Sequence, residues 1–217
     1  MNMLKSISAA AMLSVALGAG AQSSDVGLVN QLAGDVSYAS QGGTQAKAQP
    51  FMKVRQGDRF TLPAGAQLRM VYFNGSRQES WKGPASFKAG AQQSEVLSGQ
   101  PETAKLPSGV AEKVAQVPNL VQIAKLGRSG GIAVRGGGKP GRLTSEQQAE
   151  VSQAKTTYAA MRQKASAEDI TPELYLYSVL QDHLLYDEMK TVTDEMLKRQ
   201  PGSSDAQELA AYVKSRI

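Results

Sequence analysis

Across residues 53–90 short runs of alternating apolar and polar residues are separated by turn signals, and this punctuation limits the region to short antiparallel strands. The run over 66–73 is the clearest. Successive strand side chains point to opposite faces, so Leu68, Met70 and Tyr72 share one face and Arg69, Val71 and Phe73 the other. Asn74-Gly75 separates this run from a second over 76–81. Asn-Gly in that setting predicts a type I′ turn, in which both central residues need φ > 0. Gln56-Gly57-Asp58 and Pro63-Ala64-Gly65 bracket a short strand over 59–62, and Lys82-Gly83-Pro84 stops the strand after it. The result is a β-meander, in keeping with 21 glycines in 217 residues.

Upstream, Val26, Leu28, Leu32, Val36 and Tyr38 share a parity interrupted by Asn30 and Gly34, and Gly34-Asp35 predicts a bulge or bend between two strands. Residues 40–50 are polar and Gly/Gln-rich, a loop, and 51–54 begin the next strand. Residues 94–97 allow one more strand. Residues 101–110, with two prolines and a glycine, read as a loop. Residues 110–124 are apolar with a break at Pro118 and room for a short helix before it. Residues 132–134 read as a short buried strand. The run RGGGKPGR at 135–142 can bury nothing and predicts a linker.

Beyond the linker the period changes to that of helices. Thr144 with Gln147 three residues on forms a capping box, and Val151, Ala154, Tyr158 and Met161 recur at helical spacing. Thr171-Pro172 opens a second helix with proline at its preferred first position. A third is expected over about 186–199, ended by Gln200-Pro201-Gly202, and a fourth is capped by Ser203 or Ser204. The expected fold class is thus a mostly β, two-sheet N-terminal domain over 22–136, a linker over 137–143 and an all-α helical hairpin domain over 144–217.

Residues 1–21 carry Lys5, an apolar stretch over 7–18 and Ala19-Gly20-Ala21, the plan of a secretory signal peptide cleaved before Gln22. The apolar stretch falls short of the ~20 residues that span a bilayer. Export places the protein in the periplasm or outside the cell. The chain has no cysteine, which rules out thiolate catalysis, Cys-ligated zinc and iron–sulfur clusters. Residues 22–110 hold 9 basic and 6 acidic side chains, 111–145 hold 6 and 1, and 146–217 hold 8 and 12. The basic middle suits anionic envelope polymers, lipid head groups or an acidic partner rather than nucleic acid; it can equally complement the acidic tail.

No arrangement of side chains reads as catalytic. His183 is the only histidine, at an expected helix end without a second histidine to share a metal, which points to helix capping. Gly136, Gly138 and Gly141 fit the dinucleotide fingerprint in letters, but Pro140 lies inside the loop and no βαβ unit surrounds it. No cofactor or metal is expected. The expected ligand or partner surface comprises Arg69, Tyr72, Arg77, Trp81, Lys82 and Lys88: aromatic faces for stacking on a sugar, with cations beside them for an anionic group. Aromatics at alternate strand positions also build cores.

The β region resembles the FecR-type extracytoplasmic domain. The residues that carry this likeness are Val29, Leu32, Gly34 and Val36, then Val54, Gly57-Asp58 and Phe60, then Leu62, Gly65-Ala66 and Leu68. It continues in Val71, Asn74-Gly75-Ser76 and Gly83-Pro84-Ala85-Ser86-Phe87, and closes with residues 130–136. Asn74 stands where the family has Asp. The resemblance covers about residues 26–136 and implies an all-β, two-sheet fold without enzyme activity. The helices over 171–217 resemble a tetratricopeptide-type hairpin. Together these imply a non-enzymatic exported binding or scaffold protein that engages an envelope or membrane protein. The alternatives are a sensory or regulatory subunit of a membrane signalling system, or a module binding peptidoglycan or another cell-wall polysaccharide.

Overall fold

One face of the 66–73 run is buried against a second sheet, while the other is covered only in part, with Val71 buried and Arg69 and Phe73 half-buried. The computed structural model describes residues 24–128 and 142–217. The expected signal peptide, the strand expected at 132–134, the glycine fingerprint and most of the expected linker lie outside them. The described strands are β1 (Asp25–Ala33), β2 (Ser37–Ala39), β3 (Gln45–Lys47), β4 (Lys53–Arg55), β5 (Arg59–Leu62), β6 (Gln67–Tyr72), β7 (Arg77–Lys82), β8 (Ala85–Ala89), β9 (Ser94–Ser98) and β10 (Glu102–Lys105). The helices are α1 (Val110–Val114), α2 (Val117–Arg128), α3 (Ser145–Arg162), α4 (Thr171–Asp182), α5 (Tyr186–Arg199) and α6 (Ser204–Lys214). Sheet A runs β10-β7-β6-β1-β4 and sheet B runs β3-β2-β5-β8-β9, with antiparallel pairing throughout. Two antiparallel sheets of short strands followed by several helices is the expected fold class.

Leu68, Met70, Tyr72 and Trp81 of sheet A meet Phe60, Leu62, Ala85 and Phe87 of sheet B in one core. Tyr38, Phe60 and Phe87 lie opposite one another on neighbouring strands and stack at 5.8 and 5.0 Å between ring centres. Trp81 completes the stack from the facing sheet, 4.3 Å from Phe87. On the other face of sheet A, Leu28 and Val71 join the core of the helices. Ten consecutive residues of α4, Thr171 to Leu180, are buried. It is the central helix, packed against α1, α3 and α5, while α6 packs on α5 and α2.

Several local expectations are corrected. The β6–β7 connection is not a two-residue type I′ turn: Tyr72 pairs with Arg77, four residues lie between, and the left-handed backbone falls on Ser76 at φ 42°. Gly75 is needed for a different reason, since a Cβ there would lie 2.5 Å from the Gln92 carbonyl oxygen. The shared parity of Val26, Leu28 and Leu32 is broken, because β1 shifts register between Asp25 and Gly27 and again between Val29 and Gln31. Val26, Val29 and Leu32 therefore face sheet B while Leu28 faces the helices. The loop expected over 101–110 contains β10, and residues 110–128 form α1 and α2 rather than an extension of the β region. Pro118 lies in the first turn of α2, where its missing N–H costs nothing, so it starts a helix instead of breaking one. The helix starts behave as expected. Thr144 and Gln147 form the capping box, α4 carries Pro172 in its first turn, and Ser203 caps α6.

One charged cluster ties the helices together. Glu173 of α4 is fully buried, and its carboxylate accepts from Arg162 of α3 at 3.0 Å and from Arg199 of α5 at 3.0 Å. Arg162 also donates to the carbonyls of Ser166 and Asp169, and Arg199 to that of Ala167, so the loop between α3 and α4 is fixed by the same two side chains. Tyr158 donates to Glu173 at 3.3 Å. Burial, and then the neighbouring Glu173 carboxylate, push the Tyr158 phenol up to about 12.

Replacing Glu173 by alanine leaves the largely buried Arg162 guanidinium without a carboxylate and Arg199 with Glu195 alone, with an expected loss of about 3–5 kcal/mol in urea unfolding. Trp81→Ala empties the centre of the aromatic stack and should cost about 3–5 kcal/mol by the same measurement. Because the folded state favours the protonated Tyr158 phenol, its contribution is intact below the unfolded value of 10.0 and is lost as pH rises through about 12. Circular dichroism during alkaline titration should show stability falling above pH 10, less steeply in Tyr158→Phe.

Candidate functional site: a cleft at the open edge of sheet A

The helices cover β1 and β6 but diverge from the outer strands of sheet A. Between them lies a cleft of about 390 Å³. Its floor is the outer face of sheet A, with Arg69, Gln78, Ser80, Glu102 and Ala104. Its wall is the end of α3 and the following loop, with Ala160, Met161, Lys164 and Ser166, and Asp169, Thr171 and Pro172 close it. Glu102 pairs with Ser80 and Ala104 with Gln78 across β7 and β10, which puts these four side chains on one face.

The inner end of the cleft is held by a polar network across the sheet–helix seam. The Gln78 side-chain amide donates to Asp169 Oδ2 at 2.8 Å, and the Thr171 backbone N–H to Asp169 Oδ1 at 2.9 Å. The Thr171 hydroxyl lies 2.7 Å from both Gln78 Oε1 and Asp169 Oδ1 and accepts from Asn30 Nδ2. Asn30 is the extra residue of the second β1 bulge, and the bulge turns it toward the helices. Its carbonyl oxygen accepts from the Gln200 side chain at 3.2 Å, which fastens the end of α5 to the same point. Arg69 crosses the floor, donating from Nε to Ser80 at 2.9 Å and from Nη2 to Ser166 at 3.0 Å, while Nη1 lies 3.7 Å from Asp169 Oδ2.

The six residues expected to form one surface are distributed differently. Arg69 lies in the cleft floor. A smaller cavity of about 240 Å³ adjoins it, sharing Arg69, Ser80, Glu102 and Ser166 and reaching Trp81 and Lys82. Trp81 is 1% exposed and Tyr72 0%, so neither offers a ring face to a ligand. Trp81 Nε1 donates to Glu79 at 3.2 Å and the Tyr72 hydroxyl bonds Ser94 at 2.9 Å, which satisfies both polar ends inside the core. Burial raises the Tyr72 phenol far above its ordinary range. Arg77 borders a separate recess between β7, β9 and β10 and pairs with Glu79 at 2.9 Å. Lys82 pairs with Glu102 at 2.8 Å and holds that carboxyl below its usual range, and Lys88 of β8 in sheet B pairs with Glu95 at 3.0 Å. The sequence pattern missed Gln78, Asp169, Thr171, Lys105 and Lys164. The single cue was the Asp169-Ile170-Thr171-Pro172 helix start.

His183 is the C-cap residue of α4, and its Nε2 lies 3.1 Å from Glu150 of α3. Lys113 of α1 joins this corner through Asp182 at 2.6 Å and Glu150 at 3.6 Å. The histidine thus belongs to a packing contact between helix ends. Among the described residues no cluster of His, Asp and Glu is placed to hold a metal ion, and no helix is long and apolar enough to cross a membrane. Compared with known proteins, the chain matches no family model, no curated protein and no solved structure.

Arg69→Ala removes the two serine contacts and exposes Asp169 to an unbalanced site. An expected loss of about 1.5–3 kcal/mol in urea unfolding, with faster hydrogen exchange confined to residues 163–170 and the end of α3, would check this.

Proposed function

We propose that this protein is a non-enzymatic, exported binding or scaffold protein with a FecR-like β region, and that it engages an envelope or membrane protein through the cleft beside β10. The observation that carries this reading is the cleft itself, an open recess of mainly apolar surface with polar groups at its inner end, where the helices part from sheet A. Export rests on the signal-peptide pattern of residues 1–21. The FecR likeness draws support from the two-sheet arrangement and from the positions of its glycine motifs. Gly57-Asp58 and Gly65 lie in turns between strands, and a Cβ at Gly83 would fall 1.8 Å from the Pro63 carbonyl oxygen.

The buried carboxylates support binding rather than catalysis, because each is occupied by structural partners: Glu79 by Arg77 and Trp81, Asp169 by Gln78 and Thr171, Glu173 by two arginines. Burial of Tyr72 and Trp81 favours a protein partner over a polysaccharide, since the expected stacking platform has no free face.

A photo-crosslinking residue placed at Ala104 or Lys164, and at Gln45 on the far sheet as the control, tests this in intact cells. A discrete protein adduct from the cleft positions alone is expected. Equal labelling from Gln45, or labelled glycan in place of protein, would overturn the reading.

A further inference from the structure

We propose that Asn74-Gly75 is a self-modifying site: the Gly75 backbone nitrogen displaces the Asn74 side-chain amide, and the turn ages to a mixture of aspartate and isoaspartate at position 74. This goes beyond the partner-binding reading and does not depend on it.

The turn between β6 and β7 supplies the geometry. Its two ends are tied down. The Phe73 N–H donates to the Val26 carbonyl at 2.9 Å, and the Ser76 carbonyl accepts from the Leu106 N–H at 2.7 Å. Asn74 and Gly75 lie between these ties and hydrogen-bond to none of the described residues, through side chain or main chain. Asn74 is exposed, so water reaches its carboxamide. Gly75 brings no side chain to obstruct the approach of its own nitrogen to the Asn74 side-chain carbonyl. The other asparagines of the described residues are held differently. Asn30 is fully buried and its amide donates to Thr171. Asn119 stands in α2, and the N–H of the next residue, Leu120, already donates to the Gln116 carbonyl at 3.1 Å.

The reaction needs only base and water. Hydroxide takes the Gly75 N–H proton, and the nitrogen attacks Cγ of Asn74. A new C–N bond closes a five-membered succinimide, and Nδ2 takes up a proton and leaves as ammonia. Water then opens the ring at either carbonyl. Breaking the bond from Gly75 nitrogen to Cγ restores the main chain and leaves an aspartate side chain. Breaking the bond to the main-chain carbonyl carbon leaves isoaspartate, whose main chain runs through Cγ. Both products place a new carboxylate at the exposed tip of the turn. Isoaspartate also inserts a methylene between two tied ends, which loads the hydrogen bond from Leu106 to Ser76, where the chain leaves β10 toward α1.

The test incubates the folded full-length protein in neutral and in alkaline buffer. Digestion and mass spectrometry, with fragmentation that separates aspartate from isoaspartate, then follow each asparagine. Conversion at Asn74 to both products is expected, faster in alkali, with Asn30 and Asn119 unchanged. Asn74→Gln keeps an exposed amide but would have to close a six-membered ring, and should react at least about tenfold more slowly. An Asn74 amide that persists in the folded protein while the urea-unfolded chain converts would overturn the inference. So would equal conversion at Asn119, an unchanged rate in Asn74→Gln, or aspartate without isoaspartate, which would mean direct hydrolysis of the side chain. In the isoaspartate fraction the Leu106 amide should exchange hydrogen faster; unchanged exchange there would refute the loosening of the turn.

Discussion

A carboxylate with no exposed surface needs cations and hydrogen-bond donors in place of its water, and the helical half of this protein is arranged around one such group, Glu173. Glu173 draws Arg162 and Arg199 inward from the helices on either side. The remaining donors of those arginines then bind carbonyls of the α3–α4 loop. A buried ion pair gives little net stability against an apolar core of equal volume. Its effect here is to define one arrangement, since losing Glu173 leaves the Arg162 guanidinium without a carboxylate. The loop fixed in this way carries Ser166 and Asp169, which form the inner wall of the cleft.

The second determinant is the seam between sheet and helices. Its apolar part is small, chiefly Leu28 and Val71, and its polar part is a network of Asn30, Gln78, Asp169 and Thr171. Each group in that network limits the orientation of the next, which sets the angle at which the helices leave the sheet. The cleft is the consequence: the helices are anchored over β1 and β6, and among the described residues β10 is the edge strand on that side.

Period-2 alternation and turn residues made the two-sheet class readable; capping residues located α3 and α6, the first-turn proline located α4, and Gln200-Pro201-Gly202 located the end of α5. The reading failed where a local rule met a tertiary demand. The bulge at Asn30 interrupts the alternation of β1; the polar residue breaks the apolar parity in the sequence, but the bulge was expected at Gly34-Asp35 because the partners of Asn30 are Thr171 and Gln200. β10 reads as a loop because Glu-Thr-Ala-Lys has neither alternation nor apolar content; its pairing with β7 alone makes it a strand. The candidate surface was legible in part. Arg69 reaches the cleft, while Trp81 and Tyr72 went to the core for the reason that puts most aromatic strand residues there.

The sequence by itself determined the strand-rich and helical halves, the helix caps, the glycine-dependent turns and the absence of cysteine chemistry, all of which follow from neighbours within a few residues. Only the tertiary structure decided which face of sheet A the helices cover, that Glu173 sits between two arginines, and that Gln78, Asp169 and Thr171 meet across the seam. Those arrangements join residues far apart in the chain, and their energies come from burial and charge matching that no local pattern encodes.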